Sequence, residues 1–288
     1  MATLSRLISG TMTWGEWGKK FSISEQTALI ESIFEQGITT FDHADIYGHY
    51  TSEALFGEAF KASQIKRNKV QWISKCGIQL PCEKRPLKVQ HYNFSKAHIE
   101  ESVHQSLRHL QTDYLDVLLL HRPSPLMKAD EIAAAVKPLL QAGKILSFGV
   151  SNFNVSQMHL LQQEIPLAWN QIECSLSHPD PMFNGLLDHM QVGSVGAMAW
   201  GALGAYFKKP SPWQARVAKC LAMMTKKYQA TEAQLLLAWL LKHPAKLYPV
   251  LGSTQAKRWK TLSQATQIEL DLQDWFLLLE ASMGKPVP

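Results

Sequence analysis

Short apolar runs, often rich in β-branched residues, alternate along the chain with longer stretches in which apolar residues recur every three or four positions. The short runs are typical of buried strands, and the longer stretches are typical of amphipathic helices. The pattern predicts strands at residues 4–10, 38–42, 70–75, 115–121, 145–150, 167–172, 195–200 and 247–251. It predicts helices at residues 24–36, 52–61, 95–110, 129–142, 154–163, 183–190, 213–242 and 255–264, and a last helix at 272–282.

Hydroxyl and glycine residues mark several predicted helix ends. Ser24 is the predicted N-cap of the first helix, because its hydroxyl can accept a hydrogen bond from a free amide of the first turn. Gly37 and Gly143 follow the first and fourth helices, where a residue with positive φ commonly ends a helix. These ends support an alternation of strand and helix along the whole chain.

Strict alternation predicts a parallel sheet, and eight strand–helix units favour a closed barrel over an open sheet. The open-sheet alternative needs Gly-x-Gly-x-x-Gly after the first strand. Residues 10–15 read Gly-Thr-Met-Thr-Trp-Gly, which does not match, and the chain has no Gly-x-x-x-x-Gly-Lys-Ser/Thr motif. We therefore predict an α/β fold, a (β/α)8 TIM barrel with a C-terminal flanking helix, formed by residues 1–288 as a single domain.

The composition is that of an ordinary globular protein, with 46% hydrophobic and 18% charged residues. The formal net charge is +5 and the 29 lysines and arginines are scattered, so no nucleic-acid partner is indicated. No apolar run reaches the roughly 18 residues of a membrane span, and no signal-peptide pattern is present. The sequence predicts a cytoplasmic protein with no membrane contact and no obligate protein partner.

Cysteine usage agrees with a reducing compartment. The four cysteines form no Cys-x-x-Cys pair and do not lie near histidines at zinc-site spacing. They are predicted to be reduced structural thiols, and no metal site is predicted. The positions are Cys76, Cys82, Cys174 and Cys220.

Polar and titratable residues gather where the predicted strands end, and in a barrel these ends meet at the catalytic face. Lys75 ends a buried strand and needs a counter-ion, for which Asp42 at the end of the neighbouring strand is suited. Any one such residue is most simply an ordinary buried polar group. A carboxylate, a cation, a phenol and an imidazole together favour catalysis instead. The full set is Asp42, Tyr47, Lys75, His121, Ser151, Asn152, Gln171, Trp200 and Ser253.

Six short motifs at these strand ends make the whole chain resemble the aldo-keto reductases. They are Asp-His-Ala-Asp-Ile-Tyr-Gly at 42–48, Ser-Lys-Cys-Gly at 74–77, Leu-Leu-His-Arg-Pro at 119–123, Phe-Gly-Val-Ser-Asn-Phe at 148–153, Asn-Gln-Ile-Glu at 170–173 and Leu-Gly-Ser-Thr at 251–254. The chain is more narrowly similar to the bacterial YdhF-like oxidoreductases. The subgroup features are residues 45–48, 91–93, 125–127 and the terminal Val-Pro at 287–288.

The resemblance implies a catalytic tetrad of Asp42, Tyr47, Lys75 and His121. It implies hydride transfer from a nicotinamide to a carbonyl carbon, with Tyr47 as the proton donor to the carbonyl oxygen. A free phenol is a weak acid near neutral pH, so a nearby cation such as Lys75 would assist it. Asp42 would hold Lys75, and His121 would orient the carbonyl oxygen.

The resemblance also implies an NADP(H) site. Ser151, Asn152 and Gln171 match the residues that bind the nicotinamide carboxamide, and Trp200 matches the aromatic residue that stacks on the ring. The remaining predicted cofactor residues are Thr11, Met12, Gly201, Leu203, Gly204, Gly252, Ser253, Thr254 and Arg258.

The chain departs from the family pattern at the other end of the dinucleotide. Gly252 stands where many members have a lysine against the 2′-phosphate of NADP, and Leu262 stands where an asparagine often binds the adenine. Ser253, Thr254 and Arg258 would then hold the 2′-phosphate at a helix N-terminus. NADPH is the predicted cofactor and NADH the less favoured alternative. Arg258 could equally be an ordinary solvated helix charge.

The substrate pocket is predicted from aromatic residues in two loops. Trp14 and Trp17 lie in the first loop, and His91 and Tyr92 lie in the long loop after Lys75. Aromatic walls over a polar floor suit aldehydes or compact ketones without strong charge. Arg122 and Lys128 would matter for acidic substrates.

Two other interpretations remain open from the sequence. A cofactor-binding regulatory barrel with very low turnover, like the potassium-channel β-subunits, would share the fold and the tetrad. An unrelated hydrolase would need paired acids or a metal cluster at the strand ends. Asp42, His43 and Asp45 offer only a weak basis for such a cluster, because His43 alternates away from Asp42 and no third ligand follows.

Overall fold

The computed structural model of the chain describes residues 3–287. Eight parallel strands close into a barrel, and each pairs with the next along the chain until the last pairs with the first. The strands are β1 (Ile8–Gly10), β2 (Thr40–Asp42), β3 (Gln71–Cys76), β4 (Val117–Leu120), β5 (Phe148–Ser151), β6 (Trp169–Glu173), β7 (Gly196–Trp200) and β8 (Tyr248–Leu251). The predicted (β/α)8 barrel is therefore confirmed. Residues 1, 2 and 288, which the predicted domain limits include, lie outside the described residues, as does Pro288 of the subgroup feature.

Helices surround the barrel. They are α1 (Ile23–Glu35), α2 (Ser52–Ala62), α3 (Lys96–Leu110), α4 (Ala129–Gln141), α5 (Val155–Gln162), α6 (Leu186–Val192), α7 (Pro212–Tyr228), α8 (Glu232–Leu241), α9 (Ala256–Ser263) and α10 (Leu272–Met283). Shorter helical turns are Tyr47–Tyr50, Arg67–Lys69, Asp180–Met182 and Gln264–Gln267. Within residues 3–287, no helix combines the length and the apolar character needed to cross a membrane.

The last helix flanks the barrel, as predicted. It lies against α7, where Trp213 Nε1 donates to Ser282 Oγ at 2.9 Å and Lys227 Nζ lies 2.8 Å from Asp274 Oδ2. These polar contacts at both ends fix the direction of α10 along α7.

The start of α1 differs from the prediction by two residues. Ser22, not Ser24, is the N-cap, because its hydroxyl accepts from the Glu25 amide while the Glu25 carboxylate accepts from the Ser22 amide. Gly37 and Gly143 follow their helices with φ of 74° and 65°, in agreement with the predicted ends.

The predicted helix at residues 213–242 is wrong as a single element. Gln229 takes a left-handed conformation (φ 49°) that ends α7. Thr231 then begins α8 with a capping box, its hydroxyl accepting from the Gln234 amide and its own amide donating to the Gln234 side chain. The hydrophobic period continues across the break, so it gave no sign of it.

Two further boundaries move. The predicted helix at 183–190 begins only at Leu186, because Gly185 takes a left-handed conformation (φ 81°) just before it. The predicted strand at 4–10 is paired only over Ile8–Gly10. The long loop after β3 also contains an unpredicted antiparallel pair, Ile78–Gln79 with His91–Tyr92.

A separate apolar cluster fills the inside of the barrel. Its largest member is Trp169, and Gly196 makes room for it, because a Cβ on Gly196 would lie 2.3 Å from the indole ring. Since the interior is packed, polar chemistry is confined to the ends of the strands. The cluster contains Leu4, Ile8, Ile73, Val117, Leu119, Trp169, Met198 and Val250.

Candidate active site

Lys75 is the centre of a buried polar group at the C-terminal face. It lies on β3, and its side chain is 1% exposed. Its Nζ donates to both carboxylate oxygens of Asp42, at 2.7 and 2.8 Å, and to the His43 carbonyl oxygen at 2.8 Å. The Tyr47 hydroxyl lies 3.3 Å away. The structure therefore brings together three of the four predicted tetrad residues in direct contact.

The charge of Lys75 is maintained despite its burial. Burial by itself lowers the pKa of a lysine, but Asp42 and Tyr47 raise it by more, and the net pKa lies above its ordinary value. Lys75 is therefore an ammonium ion at neutral pH. A cation is thus held permanently beside the phenol.

Tyr47 is buried at the start of the helical turn after β2. Burial raises the pKa of its phenol above the ordinary value, and the attraction of Lys75 opposes this only in part. The phenol is consequently protonated at neutral pH, which is the state that a proton donor needs. Its ring lies 6.0 Å from the ring of Trp17 and 5.9 Å from the imidazole of His121.

His121, the fourth residue of the predicted tetrad, directly follows β4. Burial lowers the pKa of its imidazole well below the ordinary value, and the nearby charges of Lys75 and Arg122 lower it further. The imidazole is therefore neutral near pH 7, and it can donate a hydrogen bond without adding a third positive charge to the site.

Four predicted cofactor residues form one chain of hydrogen bonds that reaches the tetrad. Trp200 Nε1 donates to Asn152 Oδ1 at 2.9 Å, and Asn152 Nδ2 donates to Ser151 Oγ at 2.8 Å. Ser151 Oγ donates to the Gln171 carbonyl oxygen at 2.9 Å. Gln171 Nε2 then donates to Asp42 Oδ1 at 2.9 Å. The predicted nicotinamide side and the predicted catalytic side therefore share one network.

The loop after Trp200 contains two glycines with positive φ. Gly201 and Gly204 have φ of 66° and 57°, and a Cβ on Gly204 would lie 2.2 Å from Ser177 Oγ. The positive φ favours glycine at residue 204, and a larger residue there would also have to displace the Ser177 hydroxyl. Leu203 is half-buried between them.

The residues predicted to face the 2′-phosphate lie at the N-terminus of α9. Ser253 and Thr254 lead into the helix, whose first turn makes no side-chain capping hydrogen bond. Arg258 is exposed in that turn, and no atom lies within 4 Å of a Cβ built on Gly252. Uncapped helix amides and an arginine are suited to an anion. Leu262 is buried in the core and offers no polar group there.

Thr11 and Met12 differ in how accessible they are. The Thr11 hydroxyl donates to the Asp42 carbonyl oxygen at 3.0 Å and contacts His43 Nδ1 at 3.0 Å. The Thr11 side chain is therefore hydrogen-bonded to the backbone at the end of β2. Of the two side chains, only that of Met12 is exposed.

The prediction that Trp14 lines the substrate pocket is wrong. Its indole is 1% exposed and packs between the strands and the helices, with ring centroids 6.4 Å from Phe41 and 6.0 Å from Phe56. Trp17, in contrast, is half-buried beside Tyr47, and its Nε1 donates to His49 Nε2 at 3.3 Å. Trp14 thus lies in the core between the strands and the helices, whereas Trp17 lies beside Tyr47. Their spacing in the sequence did not reveal this difference.

His91 and Tyr92 are exposed on the hairpin after β3. Tyr92 borders a cleft of about 170 Å³ between this hairpin and the loop after β4, which Lys128 also lines. The cleft lies among loops that follow strands, so both residues are on the tetrad side of the barrel.

His43 and Asp42 do not form a second polar site. It is buried against Phe56, with ring centroids 4.2 Å apart, and burial lowers its pKa to about 3. Among residues 3–287, no group of three or more His, Cys, Asp or Glu is arranged to hold a metal ion.

Comparisons with known proteins agree with this geometry. Residues 6–281 match the model of the Aldo/keto reductase family. The chain is 39% identical to the 6-dehydroglucose reductase of Agrobacterium fabrum, with 99% of this chain and 96% of that protein covered. It is 38% identical to oxidoreductase YdhF of Escherichia coli, with 99% and 95% covered. The crystal structure of an aldo/keto reductase from Klebsiella pneumoniae in complex with NADP and acetate is 26% identical, with a TM-score of 0.81 and with 99% of this chain and 93% of that chain covered. The predicted resemblance is confirmed: this chain belongs to the aldo/keto reductase family.

Proposed function

We propose that this protein is an NADP(H)-dependent oxidoreductase that reduces the carbonyl group of a small aldehyde or ketone to an alcohol, with Tyr47 as the proton donor. The observation that carries the proposal is the position of Lys75 Nζ, 3.3 Å from the Tyr47 hydroxyl and held by both oxygens of Asp42. Membership of the aldo/keto reductase family supports the reaction class.

NADPH is the proposed cofactor, and it supplies the hydride when bound. The residue types fit it, because Ser151, Asn152 and Gln171 carry the hydroxyl and amide groups that pair with a carboxamide, and their mutual hydrogen bonds place them in one network beside Asp42. Trp200, in the same network, carries an indole on which a ring can stack. The uncapped start of α9 with Arg258 suits a phosphate. A family member from Klebsiella pneumoniae was crystallised with NADP, which supports the same assignment.

The tetrad supplies the proton side of the reaction. Tyr47 donates its proton to the carbonyl oxygen as negative charge develops there, and the Lys75 ammonium stabilises the phenolate that remains. Asp42 keeps Lys75 in place and partly neutralises it. His121, as a neutral donor, orients the carbonyl oxygen. Tyr47, Lys75 and His121 each interact more strongly with the oxygen when it is negative, so they lower the energy of the reaction's transition state more than that of its ground state.

We propose a small hydrophilic aldehyde as the substrate. Arg122 follows His121, and its guanidinium lies 5.5 Å from the ring centroid of Trp200. Within the described part of the chain, no acidic side chain pairs with it. A guanidinium at this place suits hydroxyl or carboxylate oxygens. A relative 39% identical to this chain is named 6-dehydroglucose reductase, so a sugar-derived aldehyde is the first substrate to test.

The cytoplasm is the proposed compartment. The four cysteines are unpaired, two of them buried and two half-buried. Unpaired thiols are usual in a reducing environment. Stable activity in the presence of a thiol reductant, and loss of it in an oxidising glutathione buffer, would support this assignment.

The function is tested by following NADPH oxidation with a panel of neutral, hydroxylated and carboxylated aldehydes and ketones. We expect steady multiple turnover with at least one hydrophilic aldehyde. Quenching of tryptophan fluorescence measures NADPH binding in the same samples. Tight NADPH binding without turnover across the panel would favour the regulatory-barrel interpretation, and no NADPH binding would exclude both.

A further inference from the structure

Glu53 is a buried carboxyl group that the proposed reaction does not use. It lies in the first turn of α2 and is 3% exposed, between the barrel and the helices. Ser74 Oγ donates to its Oε1 at 2.5 Å. From α3, the Nδ1 atom of His109 lies 3.9 Å from Oε2. Burial raises the pKa of Glu53 to about 7, and hydrogen bonds from Ser74 and Ser106 oppose this shift.

The contact joins the two segments that carry the proposed proton donor and its cation. Ser74 directly precedes Lys75 on β3, so the two side chains point to opposite sides of the barrel wall. Glu53 follows the turn that begins with Tyr47. The Glu53–Ser74 hydrogen bond therefore connects these two segments on the helix side of β3. The contact of Tyr47 with Lys75 connects the same two segments on the opposite side of the strand.

The turn that carries Tyr47 depends on contacts outside its own backbone. In the turn Tyr47–Tyr50, Gly48, His49 and Tyr50 all have positive φ, of 56°, 51° and 66°. This conformation is unfavourable for residues other than glycine, so the turn is not held by its own backbone preference. The contact of Tyr47 with Lys75 is also the longest of the hydrogen bonds that Lys75 makes, at 3.3 Å.

We propose that Glu53 is a positioning residue, which through Ser74 holds the Tyr47 segment against β3 and so sets the distance between the Tyr47 hydroxyl and the Lys75 ammonium. The inference rests on the proposed function, in which these two groups act together. A buried carboxyl group is rarely the most stabilising choice at such a place, and a specific geometry is a reason to have one.

Three variants separate the hydrogen bond from the charge and the volume of Glu53. Glu53→Gln keeps an acceptor for Ser74, Glu53→Leu removes it at similar volume, and Ser74→Ala removes the donor. We expect Glu53→Leu and Ser74→Ala each to lower kcat by about tenfold or more, since small misplacements of reacting groups are costly. The double variant should lose little more than either single one. Glu53→Gln should restore most of kcat, and NADPH affinity should change by less than about twofold in all of them.

Asp116 provides the matched control. It is also a buried carboxylate held by β3, but at the opposite end of that strand, where it accepts from the Trp72 amide and from Arg67 Nη2, both at 2.8 Å. Asp116→Asn should lower the unfolding temperature and leave kcat unchanged. If Glu53→Leu and Ser74→Ala lose thermal stability as this control does but keep wild-type kcat, the positioning role is refuted.

A readout without turnover keeps the inference separate from the proposed function. Tyrosine labelled with ¹³C at Cζ gives a resonance for Tyr47 that is assigned with Tyr47→Phe. We expect this resonance to shift at neutral pH in Ser74→Ala and Glu53→Leu, and to stay in place in Asp116→Asn. A shift in a protein that reduces no carbonyl would overturn the proposed function alone. An unmoved resonance in an active enzyme would overturn the positioning role alone, and Ser74→Ala decides it if Glu53→Leu does not fold.

Discussion

Burying an ion pair costs solvation energy, and the Asp42–Lys75 pair offsets that cost by using nearly all its hydrogen-bonding capacity. Both carboxylate oxygens contact Nζ, and the His43 carbonyl oxygen accepts the remaining strong hydrogen bond. Removing either charge would leave the other buried without a partner, which is strongly destabilising. The proposed reaction accounts for the pair, since apolar residues would stabilise the barrel at least as well.

Arg258 is the residue on which the preference for NADPH should depend. Gly252 provides no cation, so Arg258→Ala removes the main side-chain charge beside the proposed 2′-phosphate. A charge-assisted hydrogen bond is worth about 1.5–3 kcal/mol, so NADPH should bind roughly ten- to a hundredfold more weakly, with NADH almost unaffected. Dissociation constants measured by tryptophan quenching check this. Lys257→Ala, an exposed neighbour, is the control. Equal losses for both cofactors would mean that Arg258 does not contact the phosphate.

Arg122 should determine the preference among substrates. In Arg122→Gln, the ratio of kcat/KM for 4-carboxybenzaldehyde to that for benzaldehyde should fall by about tenfold or more, because one charge-assisted contact is lost. Steady-state kinetics with both aldehydes measure the ratio. Lys128→Gln changes an exposed cation of the neighbouring cleft and should alter the ratio much less. An unchanged ratio in Arg122→Gln would exclude Arg122 from substrate binding.

At the scale of elements, helix ends decide where the chain turns. Among residues 3–287, three helices begin with a complete capping box, at Ser22, Asn154 and Thr231. Each box satisfies two backbone groups that a helix start leaves free. The one at Thr231 separates two helices that the hydrophobic pattern joins, so local capping outweighs the periodic signal there.

The contribution of the Thr231 cap to the free energy of unfolding can be measured with one substitution. Thr231→Ala removes the hydroxyl that accepts from the Gln234 amide at 3.3 Å. We expect the free energy of unfolding to fall by about 1 kcal/mol. Urea denaturation followed by circular dichroism measures the change. A variant as stable as wild type would show that packing of α8, and not the cap, fixes the break.

Glu53, between α2 and β3, should make stability depend on pH. Its pKa in the fold is about 7, above the ordinary value of 4.5, so between these values the folded chain holds a proton that the unfolded chain has released. Stability therefore falls as pH rises through this window, by at most about 1.4 kcal/mol per pH unit. Relative to wild type, Glu53→Gln should gain stability from pH 5 to pH 7 (roughly the limits of the window) in urea denaturation series. Glu58→Gln, an exposed residue of the same helix, should show no such gain.

At the scale of the whole molecule, the closed barrel brings together residues that are far apart in the chain. Asp42 and Lys75 lie on β2 and β3 and His121 directly follows β4, whereas Gln171 lies on β6 and still donates to Asp42 at 2.9 Å. The packed interior below them supports these side chains from one side. A substitution in the predicted nicotinamide site should therefore alter the positions of the predicted tetrad side chains.

Much of this arrangement could be predicted from the sequence, because strand–helix alternation and polar strand ends are properties of local patterns. The barrel follows from the alternation, and the contact of Lys75 with Asp42 follows from a buried charge that needs a partner. Orientation within loops could not be predicted, because no periodicity applies there. Trp14 and Trp17 therefore looked equivalent, and the hairpin after β3 was missed. Glu53 was visible only as an acidic residue at a helix start, since its contact with Ser74 depends on how α2 packs.

The central claim is that Tyr47 gives the proton to the carbonyl oxygen, and Tyr47→Phe tests it most directly. NADPH oxidation is measured for wild type and variant with the carbonyl substrate that wild type reduces fastest, together with the NADPH dissociation constant from tryptophan quenching. The account predicts that kcat falls by roughly 10²–10⁴-fold, the usual worth of a positioned acid, while NADPH affinity stays almost unchanged. Turnover close to that of wild type in Tyr47→Phe would contradict it.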